Sequence, residues 1–279
     1  MPPASFSFRP GKRIDGEFIR LLRQMAVRAR ALMRHPAPTD SIHETRVLIK
    51  RLRALLWFAK HTFPSSDLRQ AKSHLRKASH LLASQRDLAV VHSTLKILSH
   101  DMSNHKDREI LARISRNPVS RQAAHKKPDR SLQQAFKILL ATIEQIERSA
   151  KNRSPWPSPS SRLAKAFHAA KKAGKKALND GKAGQLHIWR KKVKRLLYQL
   201  QMTHPTPSHR TKCVIKRIDK LQNALGDYHD SVMVQNHLQK NPLRQMPKTL
   251  VDQSMKFLEK RKERLQKKAR KSATLIELK

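Results

Sequence analysis

One phrase occurs twice in this chain, SIHETRVLIKRLRALLWF from Ser41 and QLHIWRKKVKRLLYQLQM from Gln185, so the fold has to be something built twice. With His43 set on His187, Arg46 falls on Arg190, Lys50 on Lys194, Arg51 on Arg195 and Leu52 on Leu196. A second phrase follows each copy at nearly the same distance, LLASQRDLAVV from Leu81 and ALGDYHDSVMV from Ala224, which sets Asp87 on Asp230.

At about 100° per residue, Arg46, Lys50 and Arg53 fall within roughly 80° of His43. Leu48, Ile49, Leu52, Leu55, Leu56 and Ala59 occupy the opposite arc, so the phrase reads as an amphipathic helix with a cationic stripe facing away from its core. In the second copy Trp189, Val193, Leu196 and Leu200 form the apolar stripe, and His187, Arg190 and Lys194 the cationic one. An ordinary solvated face mixes signs, because opposite charges four residues apart support a helix and like charges oppose it. Arg46 with Lys50 and Arg190 with Lys194 are like-charge pairs at that spacing, which makes sense where an anion sits over them.

The partner expected is a polyanion, since Lys and Arg number 61 against 20 Asp and Glu, a formal charge of +41 spread along 279 residues. Hydrophobic residues make up 38%, enough for helical bundles, and neither the six glycines nor any alternating run argues for strands. The single cysteine, Cys213, rules out an intrachain disulfide and a cysteine-rich zinc site. Without an apolar run of signal-peptide or bilayer-spanning length, the expectation is a cytoplasmic protein with no membrane span.

Local signals set the expected order of helices. The first runs from about Gly16 to Arg34 after Asp15 as N-cap, and Ser41 with Glu44 forms a capping box for the motif helix. A third helix opens at Ser66 and Asp67, with Leu68, Ala71, Leu75, Ala78 and Leu82 inside and Arg69, Lys72, Arg76 and His80 outside. Asp87 reads as an N-cap, residues 117–129 as a loop, and Ser131 to Ala150 as a helix. The Pro/Ser-rich segment 153–162 is expected to separate a first repeat, 8–152, from a second, 163–279. In the second repeat Lys212, Lys216 and Lys220 lie outside a helix ending near Leu225. Gly226 is then read as C′, Asp227 or Asp230 as the next N-cap, and Thr249 to Lys271 as a closing helix, either packed or solvated.

HETRVLIKRLRALLWF with RDLAVV, then LHIWRKKVKRLLYQL with LQNALGDYHD, resemble the CHAD family, the conserved histidine α-helical domain. The resemblance runs from FRPGKRIDGEF at Phe8 into the closing helix and implies one all-α domain over residues 1–279, two four-helix bundle repeats related by a pseudo-twofold. It also implies binding of inorganic polyphosphate on a basic face, and association with polyphosphate granules. Carried onto this sequence, the binding set is His43, Arg46, Lys50, Arg51 and Arg53, then His187, Arg190, Lys194 and Arg195. Lys72, Arg76, Lys216 and Lys220 join from neighbouring helices. Leu197 stands where the family usually has arginine, Gln201 where Glu is frequent, Asn223 where Asp is common and Ala83 where glycine is; Lys191 and Lys192 restore charge beside Leu197.

Polyphosphate offers only charge and oxygen acceptors, which rows of Arg forks and Lys point charges suit. The repeated histidines add a donor that protonates more readily once phosphate arrives. His61, His74 and His80 have no repeated register and read as packing or surface residues. The main rival partner is nucleic acid, bound through its phosphates without regard to sequence. Single-strand binders add aromatic platforms, however, and aromatics are only 5% here, with Trp57, Trp189 and Tyr198 inside the motif helices. No phosphate-cradling glycine loop or E-x-E-x-K pattern is present, so no catalytic role, metal or cofactor is expected. Asp227, His229 and Asp230 are assigned to capping ahead of metal binding.

Overall fold

A computed structural model describes residues 6–34, 38–101, 104–115, 130–151, 153, 155–240 and 247–277. Among them every regular element is a helix, as the periodicity predicts: α1 (Ile14–Arg34), α2 (Pro38–Phe58), α3 (Ser65–Leu81), α4 (Ala83–Asp101), α5 (His105–Ser115), α6 (Arg130–Ala150), α7 (Pro159–Asp180), α8 (Ala183–Thr203), α9 (His209–Lys240) and α10 (Lys248–Glu277). The expected loop at 117–129 lies outside the described residues. No helix among the described residues is long and apolar enough to cross a membrane.

The chain divides into two compact units that do not follow the two sequence repeats. Unit 1 takes residues 1–84, 126–170 and 194–215, and unit 2 takes residues 85–125, 171–193 and 216–279. Boundaries therefore fall inside α4, α7, α8 and α9.

In unit 1, α6 packs on α1 and α3, and α2 on α1 and α3. The contacts come from apolar positions three and four apart: Phe18, Leu21, Leu22 and Met25 of α1, Leu132, Phe136, Leu139 and Ile143 of α6. Leu48, Ile49, Leu52, Leu55 and Leu56 of α2 join them, as do Leu68, Ala71, Leu75 and Ala78 of α3, the arcs predicted for both helices. Each large side chain buried there contributes about 1.5–3 kcal/mol. The Pro/Ser-rich segment is tied into this unit. Trp156 packs on Phe18 with ring centroids 4.9 Å apart, its Nε1 donates to the Arg153 carbonyl at 2.8 Å, and Pro159 to Arg162 already belong to α7.

The expected caps are the main corrections. α2 starts at Pro38, a turn ahead of the capping box; Ser41 is buried inside the helix and Glu44 instead accepts from Arg28 Nε at 2.8 Å. Asp15 sits in the first turn of α1, Asp87 inside α4, and Asp227 and Asp230 inside α9, which passes through Gly226 without a break. Gly226 is buried, and a Cβ there would lie 3.7 Å from the Arg190 guanidinium, so the glycine serves helix packing rather than termination.

Unit 2 has its own core, Val91, Leu95 and Leu98 of α4, Leu111 of α5, Val234 and Leu238 of α9, and Leu250 and Leu258 of α10. The closing helix is therefore packed. Trp189 of α8, 2% exposed, is seated by a close approach of α7: a Cβ on Gly174 would lie 3.0 Å from the indole Cε2 and Nε1. Gly174→Ala gains about 1 kcal/mol of helix propensity but forces a rigid ring aside at about 1–3 kcal/mol. The expected outcome is a net loss of about 1 kcal/mol in chemical denaturation. Gly184→Ala, with nothing within 4 Å of its Cβ, should be neutral or stabilising, and the reverse order would refute this packing account.

Candidate functional site

The stripe of α2 keeps its cations at the surface of unit 1. His43 and Arg53 are exposed, and Arg46, Lys50 and Arg51 half-buried. On α3, Lys72 and Arg76 are exposed together with Arg69 and His80, the second cationic face that the sequence predicts. Arg53 Nη2 donates to the Leu75 carbonyl at 2.8 Å, and Arg46 Nη1 to the Leu82 carbonyl at 3.2 Å. Two stripe arginines thus lean on carbonyls towards the C-terminal end of α3, where a cation is favoured by the helix dipole. Burial and the nearby Arg76 pull the Arg53 guanidinium below its ordinary value, though it stays charged at working pH.

Several arginines of unit 1 are paired with carboxylates. Glu44 pairs with Arg28, Glu144 with Arg30, Glu147 with Arg23, Asp15 with Arg13, and Glu17 with Arg9 and Arg20. None of these cations belongs to the predicted set. The carboxylates of these two helices are Asp40 and Glu44 in α2 and Asp67 in α3, all within the N-terminal third of their helix.

Arg51 and Arg195, the repeated arginines one residue after the stripe lysine, behave alike. Each stacks on an aromatic ring, Arg51 at 4.7 Å from the Phe6 centroid and Arg195 at 4.8 Å from Trp57. Burial lowers both guanidinium groups from their ordinary value. Lys194 is half-buried in the same unit as Arg195.

In unit 2, His187 and Arg190 are half-buried, and Lys191, Lys216 and Lys220 exposed. The His187 ring stacks on His229 of α9 with centroids 4.4 Å apart, and its Nδ1 is sealed with no hydrogen-bond partner. Burial, then Lys191 and Arg190, hold this imidazole below its ordinary value. Asp227 stays open to solvent on one side, yet partial burial pushes its carboxyl up against the opposing pull of Arg261, with Asp230 adding to the rise and Lys268 and Arg190 resisting it. Arg261 and Lys268 are thus neighbours of the second motif that sequence reasoning missed, and His229 was named but given the wrong role. The only signal was the HD pair of the second phrase, read as a cap. Leu197, in the position where arginine was expected, is buried at 4% exposure.

A family model described as CHAD domain matches residues 18–239. The chain belongs to the CHAD domain family. Polyphosphate binding is a known association of this family. The CHAD domain here is 27% identical over 229 residues to each of two uncharacterised proteins of Mycobacterium tuberculosis, from strains CDC 1551 and H37Rv. The alignments cover 78% of this chain and 42% of each relative, so the chain spans less than half the length of the curated proteins it matches. No solved structure gives a significant match.

Proposed function

We propose that this CHAD domain binds inorganic polyphosphate through the basic surfaces carried by its two motif helices, holds it without turning it over, and is recruited by it to polyphosphate granules. The supporting observation is the pair of cation rows on α2 and α3, with His43, Arg53, Lys72 and Arg76 open to solvent. A flexible chain with about one charge per phosphate can lie along such rows, taking forks from Arg and point charges from Lys.

The tryptophans favour this reading over nucleic acid. Trp189 is buried, Trp156 packs against Phe18, and Trp57 lies half-buried under Arg195, so base stacking is poorly served. The test is a competition titration in which labelled long-chain polyphosphate is displaced by DNA, RNA or triphosphate at matched phosphate concentration and physiological salt. Polyphosphate should win clearly, whereas equal displacement by nucleic acid would leave only general polyanion binding.

His187 gives the binding a direction in pH. Its pKa is lowered in the free protein, and a bound phosphate favours the imidazolium, so the bound pKa lies above the free one. Affinity is then flat above the bound value, rises as pH falls through it, and levels below the free value. The rise is at most about tenfold per unit of separation. Titrations between about pH 8 and pH 6 at constant ionic strength should show this rise, reduced in His187→Gln; an identical slope in the variant would remove the histidine from the site.

A further inference from the structure

Two cations of the closing helix stand beside the second motif, although α10 lies wholly beyond residues 18–239, the span that the family model matches. Gln235 Nε2 of α9 donates to Glu259 Oε1 of α10 at 2.6 Å, and Lys262 Nζ donates to Gln235 Oε1 at 2.7 Å. Val234 and Leu238, towards the end of α9, share a core with Leu250 and Leu258, towards the start of α10, so the two helices run antiparallel. Going back from Gln235 to Asp227 covers about 12 Å of α9, and the same advance along α10 from Glu259 or Lys262 reaches the turn that carries Lys268. Arg261 lies two turns before Lys268, about 10 Å away on the same face.

Arg190 reaches the same place from α8. A Cβ on Gly226, the residue before Asp227, would lie 3.7 Å from the Arg190 Nε and Nη2. Partial burial raises the Asp227 carboxyl, Arg261 pulls against that rise, Asp230 adds to it, and Lys268 and Arg190 resist it. Three cations from two helices therefore act on one exposed carboxylate. Asp227 and Asp230 leave the group positive, the more so with the exposed Lys191 next to Arg190. Arg261 is half-buried with its Nε sealed and without a hydrogen-bond partner, and partial burial strengthens the pull of a charge on an anion. Lys268 and Asp227 are exposed, so the group opens to solvent. Setting Asp230 on Asp87 places Asp227 on Ser84, so the first copy has no acid at this point.

We infer that Arg261 and Lys268 bind the phosphate chain together with Arg190, and that Asp227 holds the same cations in its absence. The inference rests on the polyphosphate reading of the second motif. Arg261 offers a fork and Lys268 a point charge, the two kinds of contact that a row of phosphates takes. A chain seated there takes over the cations that Asp227 attracts, so the carboxylate weakens the binding that Arg261 and Lys268 strengthen.

The test titrates the full chain with long-chain polyphosphate and, in parallel, with single-stranded DNA at physiological salt. Arg261→Ala/Lys268→Ala should weaken polyphosphate at least about tenfold, a single lost charge-assisted bond. Lys260→Ala/Lys267→Ala removes the same charge from exposed positions of the same helix, turned about 100° away, and should cost only a few-fold. Asp227→Asn should tighten binding about two- to fivefold, and Asp252→Asn, the same charge change at an exposed position of α10, should do less. If the Arg261 variant does not fold, Asp227→Asn, which keeps shape and packing, still decides. The inference is overturned if the two α10 pairs weaken binding equally, or if Asp227→Asn leaves the affinity at the Asp252→Asn level or lowers it. A wild type that holds DNA as tightly as polyphosphate would sink the polyphosphate reading while the same ratios, read on either polyanion, still decide the site; a wild type that binds neither overturns both.

Discussion

Replacing Arg46 and Lys50 together by alanine should weaken long-chain polyphosphate binding by about a hundredfold or more, and the Arg190→Ala/Lys194→Ala pair should act in the same direction. A hydrogen bond to a charged group contributes about 1.5–3 kcal/mol, so two lost contacts correspond to about two to four decades in affinity. Salt screening and the freedom of the chain to slide onto neighbouring cations favour the lower end. The salt dependence should also flatten, by about 0.7 in log–log slope per lost contact if the chain behaves like a single-stranded nucleic acid. Two exposed cations of α10, Lys260 and Lys267, supply the control for charge alone. Their removal should cost only a few-fold. Arg46 also donates to the Leu82 carbonyl, so its variant is melted first and is expected to lose about 1 kcal/mol. Equal weakening by the stripe and α10 pairs would mean that the bound chain responds to net charge and that the stripes are not a site.

Glu17→Ala should destabilise unit 1 by about 1.5–3 kcal/mol, the loss of charge-assisted hydrogen bonds to a buried carboxylate whose arginine partners keep access to water. The Glu17 side chain is 1% exposed and accepts from the Arg9 backbone N–H at 2.7 Å, Arg9 Nε at 2.8 Å and Arg20 Nη2 at 2.6 Å. Burial works to raise its pKa, but the bonds from Arg20 and Arg9 prevail and hold it at about 2. A carboxylate depressed in the folded state contributes stability that is complete above its unfolded pKa and is lost as pH falls through the folded one. That window runs from 4.5 down to about 2. At 1.36 kcal/mol per unit the full swing is at most about 3 kcal/mol, and less in practice because Arg9 is 61% exposed. Urea melts from about pH 5 to pH 2 should show this loss in the wild type and a shallower one in Glu17→Gln. Parallel profiles would show that other carboxylates dominate acid unfolding.

What could be read in advance follows the range of the interaction. The apolar arcs of α2, α3 and α6 were legible because helical periodicity is written into one segment, and the inward Trp189 of α8 followed from the same geometry. Caps were misread because Ser, Asp and Gly carry cap propensity only where no neighbour claims them. Glu44 was claimed by Arg28, and Gly226 by its close approach to Arg190, so both helices ran on. The closing helix showed an amphipathic face that fitted packing and solvation equally. Leu250 and Leu258 decided it by meeting Val91, Leu95 and Val234, residues distant in sequence.

The sequence by itself determined the helical class, the repeated cationic rows and the family, because each is carried by spacing within a short segment. Tertiary structure alone decided that Arg162 is buried beside Trp57, that His187 stacks on His229, that Arg51 and Arg195 lie on aromatic rings, and that the compact units cut across the repeats. Burial, desolvation and charge pairing depend on which distant side chains share a space, and no periodicity along the chain records that.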